Sequence, residues 1–228
     1  MKAWANVNNL RLNLAKCAEI IFYDSRRKIQ PVQPPPLPNL PRVQSLKILG
    51  VTICSKLSVA EHVCNIIRSS AQTCHALRLL RAHGMVNASL QIVYRAIITA
   101  KLTYAVSVWW GFTTEADRQR LEVIIWRGKR TDLCSEDHPA LAELVERADD
   151  ELFDKVLINC GHVLYSIRPI ETVSTYAFRR RRHNRELTNN TTHLAQCSFI
   201  VRICIKICTN FEALYRLGLM EKFSLLLQ

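Results

Sequence analysis

Apolar positions spaced three and four residues apart dominate the middle of the chain and predict three long helices. Ser58 followed by Glu61 forms a capping box that begins the first helix, and Gly84 ends it. The second helix is predicted over 87–111, and the third begins at Thr114. We expect the apolar stripes to form a packed core; that of the third helix consists of Leu121, Ile124, Ile125 and Trp126.

The N-terminal quarter predicts a small β element. Residues 1–8 are typical of a helix that Asn9 ends by taking a left-handed conformation. Residues 17–22 predict a short strand. Residues 43–54, rich in β-branched side chains around Gly50, predict a strand or a tight hairpin.

The C-terminal third predicts shorter elements. Two short helices are expected near Asp137 and over 148–157, and a strand or helix near 198–207 is followed by a helix from Asn210. The predicted fold is therefore mainly α with a small antiparallel β element, an α+β fold built around a helical, thumb-like bundle.

Composition divides the chain into three predicted regions, residues 1–54, 55–133 and 134–228. The first contains a linker over 25–41 whose six prolines forbid helix. This linker is either a plain surface loop or a proline-rich ligand for another domain. The third contains a polar, basic loop over 168–192.

The charge balance predicts a polyanionic partner. Lys and Arg exceed Asp and Glu by 12, and the pI is about 9.5. Nucleic acid is the simplest partner, and an anionic membrane surface is the rival. Residues 1–57 carry nine basic and two acidic side chains, whereas residues 115–170 carry eight and twelve. The surplus of positive charge therefore lies outside residues 115–170.

The nine cysteines and the N-terminal residues predict an intracellular protein, nuclear or cytoplasmic, with reduced thiols and no membrane partner. A zinc site is conceivable in the C-terminal segment, because one His and three Cys follow at spacings of four, seven and four. Their apolar neighbours favour instead buried cysteines acting as small core side chains, and no metal site is assigned. The four residues are His193, Cys197, Cys204 and Cys208.

Residues 1–130 carry, in order, a series of short motifs that resembles the reverse transcriptases of non-LTR, LINE-type retrotransposons. Residues 16–22 and 46–53 resemble the segment after the catalytic aspartates and the hairpin that follows it. Residues 76–84 and 90–111 resemble the first two helices of the thumb. The chain is thus similar to the end of the palm, the thumb and the C-terminal region of such an enzyme.

The resemblance implies roles for individual residues. Lys16 would lie near the phosphates of the incoming nucleotide, where a cation offsets the charge that develops on pyrophosphate. The hairpin tip formed by Leu49, Gly50 and Val51 would act as the primer grip. The thumb residues that would meet the nucleic-acid backbone are Arg78, Arg81, Lys101 and Arg118.

The resemblance also implies what the chain does not do. The aspartates that hold two Mg²⁺ ions in the full-length family would precede Met1, so we expect no catalytic residue and no cofactor here. The pair Asp149 and Asp150 imitates part of the catalytic motif, but it follows the thumb-like segment and lies in an acidic, helical stretch. We expect these two residues to be surface charges of a helix.

The sequence therefore predicts a truncated RNA-directed DNA polymerase fragment that keeps nucleic-acid affinity without polymerase activity. One alternative is a non-catalytic RNA- or DNA-binding helical module that uses a run of four arginines. Another is an interaction scaffold, and the oligomeric state stays open. The four arginines are Arg179, Arg180, Arg181 and Arg182.

Overall fold

A computed structural model describes residues 2–11, 13–23, 32–168 and 192–206. Over these residues the protein is mainly helical with one two-stranded antiparallel sheet, which confirms the predicted α+β class. The chain divides into two compact units, Met1–Ser69 and Ser70–Gln228. The arginine run, Cys208, most of the basic loop over 168–192 and the helix expected from Asn210 lie outside the described residues.

The first unit contains a short helix, α1 (Lys2–Val7), and a hairpin of β1 (Ser45–Ile48) and β2 (Val51–Cys54). Ser45 pairs with Cys54 and Ile48 with Val51, so the predicted hairpin is confirmed. Asn9 has a φ of 54°, the left-handed conformation expected at the end of α1.

The strand predicted over 17–22 is wrong, because this segment makes only a single β-bridge, between Glu19 and Arg42. The amide of Glu19 donates to the carbonyl of Pro41 at 2.9 Å, and the amide of Val43 donates to the carbonyl of Glu19 at 2.8 Å. Pro41 has no N–H to donate to residue 17, so the ladder cannot extend in that direction.

Helix α2 (Ala60–Ala82) contains the boundary between the two units. At its start, the Ser58 hydroxyl accepts the amide of Ala60 at 3.2 Å. At its end, the amide of Gly84 bonds the carbonyl of Arg81 and the amide of Met85 bonds that of Leu80. Gly84 has a φ of 92°, so this paired arrangement is a Schellman motif and confirms the predicted end.

The second predicted helix is interrupted. Helix α3 (Asn87–Tyr94) passes through a π-helical turn (Arg95–Thr99) into α4 (Ala100–Thr103). Ala105 then takes a φ of 49°, and α5 (Val106–Trp109) and a 3₁₀ turn (Trp110–Phe112) follow. The prediction of one helix over 87–111 is therefore wrong. The break lets the fully buried Trp109 donate its indole N–H to the carbonyl of Tyr104 at 3.0 Å.

Helix α6 (Glu115–Arg130) begins as predicted at Thr114, whose hydroxyl oxygen accepts the amide of Asp117 at 3.1 Å. Helix α7 (Leu141–Ile158) replaces the two short helices expected there. The carboxylate of Glu122 in α6 accepts the amide of Leu141 at 3.0 Å, so a tertiary contact caps α7 in place of Asp137.

Helix α8 (His193–Cys197) and a helical segment over 199–206, called α9, complete the second unit. The segment near 198–207 is thus helical. Its apolar side packs on α7 in one core cluster, which consists of Phe153, Val156, Phe199, Ile200, Ile203 and Cys204. The largest side chains fully buried in the rest of this unit are Leu77, Leu90, Tyr94, Ile98, Leu102, Trp109, Leu121, Ile125, Leu133 and Leu141.

Candidate nucleic-acid interface

The predicted primer-grip residues lie at the tip of the hairpin in the first unit. Ile48 pairs with Val51, so Leu49 and Gly50 form a two-residue loop, with φ values of 46° and 89°. Two positive φ values are the signature of a type I′ turn, which matches the twist of the strands it joins. Leu49 is 87% exposed, whereas Val51 is buried. Leu49 and Gly50, but not Val51, can therefore meet a partner.

Lys16 ends a 3₁₀ turn (Leu14–Lys16) in the same unit and is exposed. Its position is compatible with contact to an anion, and its role near nucleotide phosphates stays a prediction.

Three of the four predicted thumb cations, Arg78, Arg81 and Arg118, donate hydrogen bonds within the protein. Arg81 at the end of α2 donates from Nη1 to the carbonyl of Thr131, just beyond α6, at 2.6 Å. Arg118 donates from Nε to the Thr113 hydroxyl at 3.0 Å, and its guanidinium lies 5.0 Å from the Trp110 ring centre. Lys101 is half-buried in the last turn of α4. The structure therefore fixes Arg81 and Arg118 in place.

Arg78 lies on the exposed surface of α2, and its Nε donates to the carbonyl of Cys74, one turn earlier, at 3.3 Å. Burial raises the pKa of the Cys74 thiol, and the positive charges of Arg78 and Arg127 oppose that rise. Both charges thus act on one thiol, and the hydrogen bond from Arg81 to Thr131 joins the end of α2 to the end of α6. Arginines of both helices therefore lie at adjoining helix ends.

Trp126 of α6 is 53% exposed, so its predicted place in the core is wrong. The Arg130 guanidinium lies 4.7 Å from the centre of its ring, a cation–π contact. The sequence contained a signal for this orientation. Leu121, Ile125 and Gly128 share one buried side of the helix, and Trp126 follows Ile125 by 100° of helical rotation.

We call the group formed by Arg78, Arg81, Arg127, Arg130 and Trp126 the basic face. From Ala116 to Arg130, the exposed positions of α6 contain no carboxylate. The same holds for the exposed positions of α2 from Ala71 to Ala82. An exposed acidic residue, Asp132, follows α6 at its end. The basic face is therefore a positive surface with one aromatic ring, although it includes part of the chain's most acidic segment.

Asp149 is not a surface charge, which corrects the prediction for the Asp149–Asp150 pair. It is helical, as expected, but buried, and its carboxylate accepts a bond from Arg202 Nη2 of α9 at 2.9 Å. Burial raises the pKa of the Asp149 carboxyl and lowers that of the Arg202 guanidinium, while the attraction between them opposes both shifts. The pair joins α7 to α9.

A cleft of about 520 Å³ beside this pair is lined by both charges and apolar side chains. Its cations are matched by acids: Arg202 by Asp149, Lys206 by Glu146 and, more loosely at 4.0 Å, Arg118 by Glu115. This pairing leaves the cleft without the surplus positive charge of the basic face.

The two described cysteines of this C-terminal set are core side chains, as the sequence favoured, whereas His193 is exposed. Cys197 and Cys204 are buried, and Cys204 belongs to the cluster between α7 and α9. The Cys197 sulfur lies 3.7 Å from Nδ1 of His193. Within residues 2–11, 13–23, 32–168 and 192–206, no group of three or more His, Cys, Asp or Glu side chains is arranged to hold a metal ion.

Comparison with models of known protein families, with curated proteins and with solved structures found no match to this chain. No helix in the described parts of the chain combines the length and apolar character that crossing a bilayer requires.

Proposed function

We propose that this chain is a thumb-like, nucleic-acid-binding part of a non-LTR reverse transcriptase and that it binds through the basic face. The order of sequence motifs supports the family, and the hairpin followed by long helices is compatible with it. The observation that carries the binding function is the basic face itself, where the adjoining ends of two helices carry exposed arginines and one of them, Arg130, lies over an exposed tryptophan. Polymerase chemistry is not part of the proposal.

The arginines of the basic face suit phosphate recognition. A guanidinium has five N–H donors in a planar fork that matches phosphate oxygens. Arg81 uses Nη1 on the Thr131 carbonyl, so it is held in place at a half-buried site. Arg78 and Arg127 are exposed and add charge beside it. Such contacts give affinity that is largely independent of base sequence.

The test is the salt dependence of oligonucleotide binding, measured by fluorescence anisotropy on the whole chain. Removing one cation that binds a phosphate lowers the magnitude of the slope of log K against log salt by about 0.7 to 0.9. We expect the double variant Arg78→Gln/Arg127→Gln to lower that magnitude by about 1.5.

A matched control removes the same charge elsewhere. Arg68 and Arg147 are exposed and lie outside the basic face, and Arg68→Gln/Arg147→Gln should change the slope much less. Equal changes in the two double variants would show that net charge alone drives binding, and an unchanged slope in the first would remove the basic face from the contact surface.

A further inference from the structure

The exposed indole of Trp126 distinguishes the basic face from a purely electrostatic surface. In the same unit, Trp109 is fully buried and Trp110 is half-buried beneath Arg118. Trp126 instead keeps 53% of its surface exposed, with Arg130 over its ring. An exposed ring among cations is the combination with which proteins hold unpaired bases, because phosphates meet the cations while a base stacks on the ring.

We propose that Trp126 and Arg130 form a stacking platform for an unpaired base, so that the basic face prefers single-stranded nucleic acid to duplex. This inference rests on the proposed function. A duplex presents its phosphates but keeps its bases stacked on each other, so it can use the arginines and not the indole. A single strand can use both, and every base offers a ring face, so the preference for single strands is independent of sequence.

Arg130 has two roles in this platform. Its guanidinium lies 4.7 Å from the indole centre and so holds the ring in one orientation before any ligand arrives. Its charge also attracts the phosphate next to the stacked base. The neighbouring exposed side chain one turn earlier, Val123, adds apolar surface beside the ring. The platform and Arg127 thus both lie on the exposed part of α6.

The experiment compares three ligands of equal length at one salt concentration: a thymidine single strand, a duplex, and an abasic single strand that has phosphates but no bases. The wild-type chain should bind the thymidine strand most tightly. Trp126→Ala should weaken binding to that strand by about 5- to 150-fold, the range for one stacked base. It should leave binding to the duplex and the abasic strand within about twofold, because those ligands use only the arginines.

Two further variants separate stacking from other effects. Trp126→Phe keeps an aromatic ring and should restore most of the affinity, while Trp126→Leu keeps apolar area without a ring and should not. Trp4 in α1 is 65% exposed, and Trp4→Ala is the matched control that should change nothing. Far-UV circular dichroism establishes whether each variant is folded. If Trp126→Ala does not fold, the comparison of Trp126→Phe with Trp126→Leu still tests stacking.

The outcomes separate this inference from the function on which it rests. If binding is salt-dependent and requires Arg78 and Arg127, but Trp126→Ala binds the thymidine strand as the wild type does, the stacking platform is wrong and the proposed function stands. Equally weakened binding to the thymidine and abasic strands would also overturn the platform. If no oligonucleotide binds, or if the arginine variants bind normally, the proposed function itself fails.

Discussion

Arg202 is the side chain through which α9 makes polar contacts with both α7 and α5. Its Nη2 donates to the carboxylate of Asp149 at 2.9 Å and to the carbonyl of Ser107 at 3.2 Å. Its Nε and Nη1 atoms are buried without a hydrogen-bond partner among the described residues. The carboxylate of Asp149 therefore stabilises the buried guanidinium. Removing it would leave an unpaired charge in a poorly solvating environment.

We expect Asp149→Ala to lower the free energy of unfolding by about 3 to 5 kcal/mol, the cost of breaking a buried ion pair from one side. The double variant Asp149→Leu/Arg202→Met should be destabilised less than the single one, because it removes both buried charges. Urea unfolding followed by circular dichroism measures both changes.

The same pair of helices provides the control. Glu146 and Lys206 form an ion pair at 3.4 Å in which Glu146 is largely exposed, so Glu146→Gln should cost at most about 1 kcal/mol. Equal destabilisation by Asp149→Ala and Glu146→Gln would mean that burial does not increase the contribution of the Asp149–Arg202 pair to the free energy of unfolding.

At the scale of elements, α6 packs closely against the end of α3, just before the π-helical turn. Gly128 faces Tyr94, which is fully buried and whose hydroxyl donates to the carbonyl of Ile124 at 3.2 Å. A Cβ at Gly128 would lie 2.6 Å from that hydroxyl oxygen and 2.7 Å from the ring carbon that carries it. A side chain at Gly128 would therefore have to displace a fully buried ring, so packing favours glycine here.

We therefore expect Gly128→Ala to lower the free energy of unfolding by about 1 to 3 kcal/mol through overpacking. This is the opposite of the change expected from helix propensity, which favours alanine over glycine by about 1 kcal/mol. Gln119→Ala, at an exposed position of the same helix, should change it by no more than about 0.5 kcal/mol. Chemical denaturation distinguishes the two; a stabilised Gly128→Ala would show that Tyr94 yields.

At the scale of the whole molecule, the cysteines report on which parts of the chain are packed. The eight described cysteines are free thiols: Cys160 is exposed, four are half-buried, and Cys134, Cys197 and Cys204 are buried. Burial also raises the pKa of Cys134, which lowers its thiolate fraction at neutral pH. Accessibility and thiolate content thus predict one order of reactivity.

We expect brief labelling with a maleimide, read out by peptide mass spectrometry, to modify Cys160 first and the three buried cysteines last. In urea all of them should react at similar rates, because unfolding removes the protection. Labelling of Cys204 as fast as Cys160 in the native protein would contradict the packing of α9 against α7.

Local sequence features predicted the positions at which elements begin and end. The turn at Asn9, the hairpin around Gly50, the stop at Gly84 and the start at Thr114 were all confirmed. Each depends on backbone preference or on hydrogen bonds within about five residues, so a short stretch of sequence contains the information. The same features located Arg78 and Arg81, but not the arrangement that gives the basic face.

The sequence by itself determined the mainly helical class, the small hairpin, the surplus of positive charge and the resemblance on which the proposed function partly depends. Only the tertiary structure decided that Asp149 is buried and that α7 is one helix. Both depend on partners distant in sequence, Arg202 for Asp149 and Glu122 for Leu141. Such contacts exist only once the helices pack, because long-range partners set burial and capping where local propensity leaves several outcomes open.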